Sequence, residues 1–130
     1  MGDFDVVVAS GTLRSGGADV VCFPHRWTDG GVRVEAAFTG AHLLHLAAAG
    51  CVLNDVHREA QGLGLPIDGV RVTASGDFDT ETWRSSGIMY AVEVDSAASP
   101  ADIERLLVRV DQVAEIPKSL RAGADVSRRQ

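Results

Sequence analysis

The chain has 130 residues, enough for a single domain spanning residues 1–130 with a real core; 45% of them are hydrophobic and only 5% aromatic, so that core must be built from Val, Leu and Ala rather than from rings. With 12 Lys and Arg against 18 Asp and Glu the net charge is −6, and the only basic cluster is Arg128–Arg129 near the C-terminus. Nucleic-acid binding, which needs a basic stripe against phosphates, is thereby excluded as an expectation.

In chain order, Asp5–Ser10 (DVVVAS) reads as a strand ending at a Ser-Gly turn, and Arg14–Gly17 (RSGG) as a turn. Ala18–Phe23 (ADVVCF) reads as a second strand closed by Pro24, and Asp29-Gly30 is a tight-turn signal. Val32–Phe38 alternates, with Val32, Val34 and Ala36 on one side and Arg33 and Glu35 on the other. Three antiparallel strands therefore open the chain. A long helix is predicted from about Ala41 to Gln61, ended by Gly62, Gly64 and then Pro66. Gly69–Phe78 and Gly87–Val94 read as a pair of strands. Ser99-Pro100-Ala101-Asp102 starts a second helix: Ser99 caps, Pro100 suits the first turn, and Asp102 complements the dipole. Leu106, Leu107, Val110 and Val113 give that helix its apolar stripe. Ile116–Arg121 is expected to form a turn and short helix, and Ala124–Val126 a last edge strand. The pattern is α+β.

The first helix is apolar around more than half its circumference, with Asp55 and Glu59 only in its C-terminal half. One small sheet covers such a helix poorly, so burial by a second subunit is expected. Its longest apolar run, Leu43–Leu53, is interrupted by His45 and falls short of the ~20 residues a bilayer span requires. No leader pattern opens the sequence, and a cytoplasmic location is the expectation. Two cysteines, Cys22 and Cys51, do not make a disulfide framework; both are expected as thiols.

Candidate chemistry centres on Cys51, at the midpoint of the first helix. It is either a nucleophilic thiol activated by nearby positive charge or a small buried hydrophobe. At 100° per residue, Asp55 and Arg58 share its face. Asp55, one turn away, raises the thiol's pKa; Arg58, two turns away, reaches it only by folding back. His42 and His45 stand at a metal-like spacing but point away from Cys51, so these two, with His57, read as interface or capping residues. Cys22, between Val21 and Phe23, is a packing residue or an unusual resolving thiol. No nucleophile elbow, phosphate loop or dinucleotide fingerprint is present.

The segments LLHLAAAGCVLNDVHREAQGLGLPIDGVRVTASGDFD (Leu43–Asp79) and SPADIERLLVRVDQVAEIPKSLRAGADV (Ser99–Val126) resemble the OsmC/Ohr family, the osmotically inducible protein C and organic hydroperoxide resistance proteins. The match lies in the Ala-rich helix carrying Ala-Gly-Cys, the Gly-x-Pro loop with its following strand, and the C-terminal helix followed by Ser-x-x-Leu-Arg-x-Gly. The resemblance implies an OsmC-like fold, antiparallel sheets around a long central apolar helix in an intertwined homodimer with sites at the subunit interface. It implies no cofactor and no metal.

In peroxidase members a thiolate at the position of Cys51 attacks the O–O bond of an organic hydroperoxide. A second cysteine resolves the sulfenic acid, and cellular thiols reduce the disulfide. An Arg holds the thiolate and a helical Glu holds the Arg. Here the second cysteine falls on Ala114, or on Ile116 when the register follows Pro117, and the helical Glu falls on Ala41. For the thiolate-pairing Arg the candidates are Arg14, Arg26 and Arg33, with Arg33 near the place used by the OsmC branch and Arg14 in a turn like the Gly-rich loop of the Ohr branch. Two functions follow as expectations. One is a one-cysteine, peroxiredoxin-like organic hydroperoxide reductase in oxidative-stress defence, its sulfenic acid reduced by an external thiol, with Leu44, Ala47 and Ala48 favouring an organic peroxide. The other is a non-peroxidatic member that binds a small hydrophobic ligand at the dimer interface.

Overall fold

The computed structural model describes residues 4–130. Its elements are β1 (Val6–Gly11), β2 (Val21–Phe23), β3 (Val32–Glu35), α1 (Gly40–Leu63), β4 (Gly69–Phe78), β5 (Ser85–Asp95), α2 (Pro100–Val113) and α3 (Glu115–Ala122). The five strands form one antiparallel sheet in the order β2-β3-β1-β4-β5. The expected α+β architecture is therefore present as a single sheet within the chain, with the helices packed against it.

Strand register explains which residues make the core. Val8 lies opposite Val34 on β3 and Val72 on β4, and Val72 lies opposite Val92 on β5. Because side chains alternate along a strand, this row and the rows two residues away point to the same face. That face carries Val6, Val8, Val34, Val70, Val72 and Ala74, all buried, and α1 lies on it with Ala49, Val52, Val56 and Ala60. The opposite face carries the other row, in which Cys22 lies opposite Arg33, Arg33 opposite Ala9, Ala9 opposite Arg71, and Arg71 opposite Glu93.

α1 starts where Thr39 leaves the extended region and its hydroxyl accepts from the His42 N–H at 3.1 Å. It ends at Gly64, whose φ of 68° suits a residue without Cβ and lets Leu65 N–H return to the Ala60 carbonyl. The helix is longer at both ends than the pattern from Ala41 to Gln61. Its apolar circumference is met by more than the sheet: α2 and α3 pack along a second side through Leu106, Val110, Ala114 and Ile116. Its outward apolar side chains are Leu43 and Ala47 in the N-terminal half and Leu63 in the last turn.

α2 begins as expected, with Ser99 Oγ accepting from Asp102 N–H and Pro100 in the first turn. Three expectations fail, the first being the third strand, expected over Val32–Phe38 but paired only over Val32–Glu35. The expected edge strand at Ala124–Val126 has no regular structure: Val126, the one large apolar side chain there, is almost fully exposed, and β2 and β5 already close the two sheet edges. The second strand is short, Val21–Phe23 instead of Ala18–Phe23, because only those three residues have partners on β3. No described helix is long and apolar enough to cross a membrane.

Candidate functional site

Cys51 sits in the middle of α1 on the side facing α3, 7% exposed. The backbone N–H of Ile116, in the first turn of α3, donates to its sulfur. Two carboxylates join it. Cys51 Sγ and one oxygen each of Asp55 and Glu115 all lie within 4.8 Å of one another. Asp55 is buried at 1% exposure, whereas Glu115 is exposed. Burial pushes the Cys51 thiol up from its ordinary value and the negative charges of Asp55 and Glu115 push it further; the Ile116 N–H opposes them without prevailing. Among the described residues, no cation acts on this sulfur.

The nearest guanidinium belongs to Arg58 and is held by the acids. Its Nη2 lies 3.0 Å from Asp55 Oδ2, an ion-pair contact without hydrogen-bond geometry; its Nε donates to Glu59 at 3.3 Å, and its Nη1 stands 3.9 Å from Glu115. Burial pushes Asp55 up to about 6, against the pull of Arg58 and with the help of the Glu115 and Glu59 charges. Asp55 opposes the thiolate, as its helical spacing predicts, and Arg58 folds back onto Asp55 and Glu115 without acting on the sulfur itself. A thiolate and two carboxylates are a possible donor set for a divalent metal, but Arg58 already faces both carboxylates, at 3.0 Å from Asp55 and 3.9 Å from Glu115.

The structure does not bring the other predicted residues to Cys51 within the chain. Arg14 donates from Nε to the Gly11 carbonyl at 3.0 Å and from Nη1 to the Gly30 carbonyl at 2.8 Å, so it ties two turns together. Arg33 lies on the sheet face away from α1, and its Nε is buried with no hydrogen-bond partner among the described residues. Cys22, read as packing or resolving, is exposed on the short edge strand opposite Arg33, on that same far face. His42 sits at the helix cap: its backbone N–H donates to the capping Thr39 Oγ1 and its ring Nδ1 meets the same hydroxyl. His45 and His57 correct the interface-or-capping reading, because both are interior. His45 bonds the Phe4 carbonyl through Nδ1 at 2.9 Å and stacks on Phe78, and His57 bonds Ser10 Oγ through Nε2 at 2.8 Å.

What sequence reasoning missed is Glu115. The register question between Ala114 and Ile116 concerned the place of a second thiol. The fold puts that stretch against Cys51, and a carboxylate and a backbone N–H stand there instead. Beside the cluster, where Ala48 of α1 faces Pro117 and Leu120 of α3, a pocket of about 340 Å³ opens toward Ile88 and Tyr90 of β5. Leu44 and Ala48 line it, as anticipated for apolar walls, whereas Ala47 is exposed and does not. Its polar end is Tyr90, whose hydroxyl donates to Asp111, itself paired to Arg121 Nη2 at 2.8 Å.

The family model for OsmC-like proteins matches residues 31–128. The chain belongs to the OsmC-like family. Among solved structures it is similar to the OsmC-like protein from Mycoplasma pneumoniae, with a TM-score of 0.62 and 14% identity over 85% of this chain and 91% of that one. It is also similar to an OsmC-like hydroperoxide resistance protein from Jannaschia sp. CCS1, with a TM-score of 0.52 and 13% identity over 97% of this chain and 92% of that one. At such identities the likeness establishes the fold. No curated protein matches. In this OsmC-like chain the helix bearing Cys51 and the α3 segment beside it both fall within the matched region.

Proposed function

We propose that this OsmC-like chain is a thiol-dependent organic hydroperoxide reductase that works with one cysteine. The observation that supports it is the placement of Cys51 against the first turn of α3, with Glu115 beside the sulfur and an apolar pocket adjoining. The missing cation changes how the thiol is activated. Glu115 accepts the thiol proton as the sulfur attacks the terminal oxygen of the hydroperoxide. The O–O bond breaks, the sulfur becomes a sulfenic acid, and the alkoxide leaves as an alcohol after taking a proton. Asp55, raised to about 6, holds a proton in part of the population near neutrality and is placed to supply it. The Ile116 N–H steadies the charge that develops on sulfur. An external thiol then condenses with the sulfenic acid, releasing water, and a second thiol reduces the mixed disulfide and returns Cys51 to the thiol.

The test is consumption of cumene hydroperoxide with a dithiol, comparing wild type with Cys51→Ser and Glu115→Gln. Multiple turnovers abolished by Cys51→Ser and slowed at least about tenfold by Glu115→Gln, in line with the loss of a general base, carry the proposal. Absence of turnover in the wild type sinks it.

A second reading is favoured by the thiol's own environment: two acids and burial hold Cys51 protonated. Here the pocket of Leu44, Ala48, Ile88 and Tyr90 binds a small hydrophobic ligand and Cys51 only fills space. Ligand retention that is indifferent to Cys51→Ala, together with no turnover, distinguishes it.

A further inference from the structure

A second and larger cavity lies at the other end of α1. Where the loop after β2 meets the last turns of the helix, a cleft of about 650 Å³ opens, and Cys51 does not line it. Leu65 and Ile67, in the segment that leaves α1, give it an apolar wall. Arg26 and Trp27 come from the loop, and His57 and Arg58 from the helix. On a chain of net charge −6, the lining holds, among the described residues, two guanidinium groups and not one carboxylate.

The two cations are not equivalent. Arg58 already faces Asp55 and Glu59. Arg26 has no ion pair among the described residues; its guanidinium lies over the Trp27 ring at 5.7 Å. The cleft therefore has about one uncompensated positive charge. The loop that carries it is held in place, because His25 meets Thr28 Oγ1 at 2.7 Å and Asn54 Oδ1 on α1 at 3.0 Å. His57 adds a neutral ring. Burial keeps its imidazole uncharged, and its Nε2 is engaged with Ser10 Oγ at 2.8 Å, so it brings no second positive charge to the cleft. A cation on an anchored loop, a neutral imidazole, an indole and two aliphatic side chains around one concave space are the complement of one negative charge on an apolar body.

We propose that this cleft binds a small organic monoanion, a carboxylate carried on an aromatic or apolar group, at a site separate from the Cys51 thiol. One charge matches one uncompensated guanidinium, whereas a polyphosphate would call for several. Trp27, Leu65 and Ile67 supply the surface that a bare inorganic anion would leave unused.

The experiment is isothermal titration of the full-length reduced protein with 1-naphthoate and, separately, with the neutral 1-naphthalenemethanol. Saturable binding of naphthoate is expected, with the alcohol weaker by about tenfold, the usual effect of losing a charge-assisted hydrogen bond. Arg26→Gln, at an exposed position, should weaken naphthoate about tenfold and leave the alcohol unchanged. Gln61→Glu, which sets a like charge on the exposed cleft wall, should do the same if the first variant fails to fold. Cys51→Ser and Arg121→Gln should have no effect. The proposal is overturned by no saturable naphthoate binding, by equal affinity for the two probes, or by binding that responds to Arg121→Gln, at the pocket beside Cys51, instead of to the cleft variants.

Discussion

Asp55 and His57 are buried two residues apart on α1 and titrate in opposite senses. Burial lifts the Asp55 carboxyl from 3.8 to about 6, so the folded chain holds a proton there that the unfolded chain has released. The stability from that proton is present below about pH 4 and is lost as pH rises through 6. Burial drops His57 from 6.5 to about 4, so here the unfolded chain binds the extra proton, and stability is gained as pH rises from 4 toward 6.5. The two slopes oppose each other over the same window. Wild-type stability should therefore change little between pH 4 and 6.5 on their account. Asp55→Asn should leave stability rising with pH and His57→Gln should leave it falling, each by about 2 kcal/mol across the window, as thermal unfolding at a series of pH values will show. At Cys51 the expected behaviour is slow alkylation at pH 8 in the folded protein, accelerated by Asp55→Asn, which removes an opposing charge, and slowed by Glu115→Gln, which removes the group that takes the thiol proton; iodoacetamide kinetics against an unfolded control measure it. If either variant leaves the rate unchanged, its carboxylate does not act on the thiol. The Asp55 half of that prediction was legible from helical spacing alone. The Glu115 half was not, because Glu115 reaches Cys51 only through the packing of α3 on α1.

At the scale of elements, the strongly periodic segments and those with caps were readable. Thr39 and Ser99 open α1 and α2, and Gly64 closes α1, each satisfying backbone groups that a helix end leaves bare. Thr39→Ala should cost about 1 kcal/mol in urea unfolding, with an unchanged denaturant slope because no buried surface is lost. The short strands were harder. Ala18–Phe23 looks like a strand throughout, yet only Val21–Phe23 finds partners on β3, since pairing rather than propensity sets the limits of an edge strand. Ala124–Val126 looked like a strand for the same local reason and has no neighbour to pair with. The histidines follow this division as well. His42 could be placed at the helix cap from its position beside Thr39, whereas the inward position of His45 depends on Phe4 and Phe78, far away in sequence.

For the molecule as a whole, the apolar excess of α1 was an argument for a second subunit, and the structure narrows it. α2, α3 and the sheet cover most of the helix, and the remaining outward apolar side chains include Leu43 on α1, Phe38 before it and Met89 on β5. Sedimentation velocity is expected to give twice the 13.7 kDa chain mass, and Leu43→Glu is expected to shift the species toward monomer. A wild type that sediments as a monomer at micromolar concentration removes the intertwined dimer from the account. By itself the sequence determined the α+β class, the long helix with Cys51 at its centre and the family, because periodicity, caps and a motif are properties of neighbours along the chain. Only the tertiary structure decided which charges meet that thiol. Arg14 is engaged by two backbone carbonyls, Arg33 lies across the sheet, and Glu115 arrives at the sulfur. Electrostatic fields act through space, and two of the groups that shape the field at Cys51, Glu115 and the Ile116 N–H, lie more than sixty positions from it in the chain.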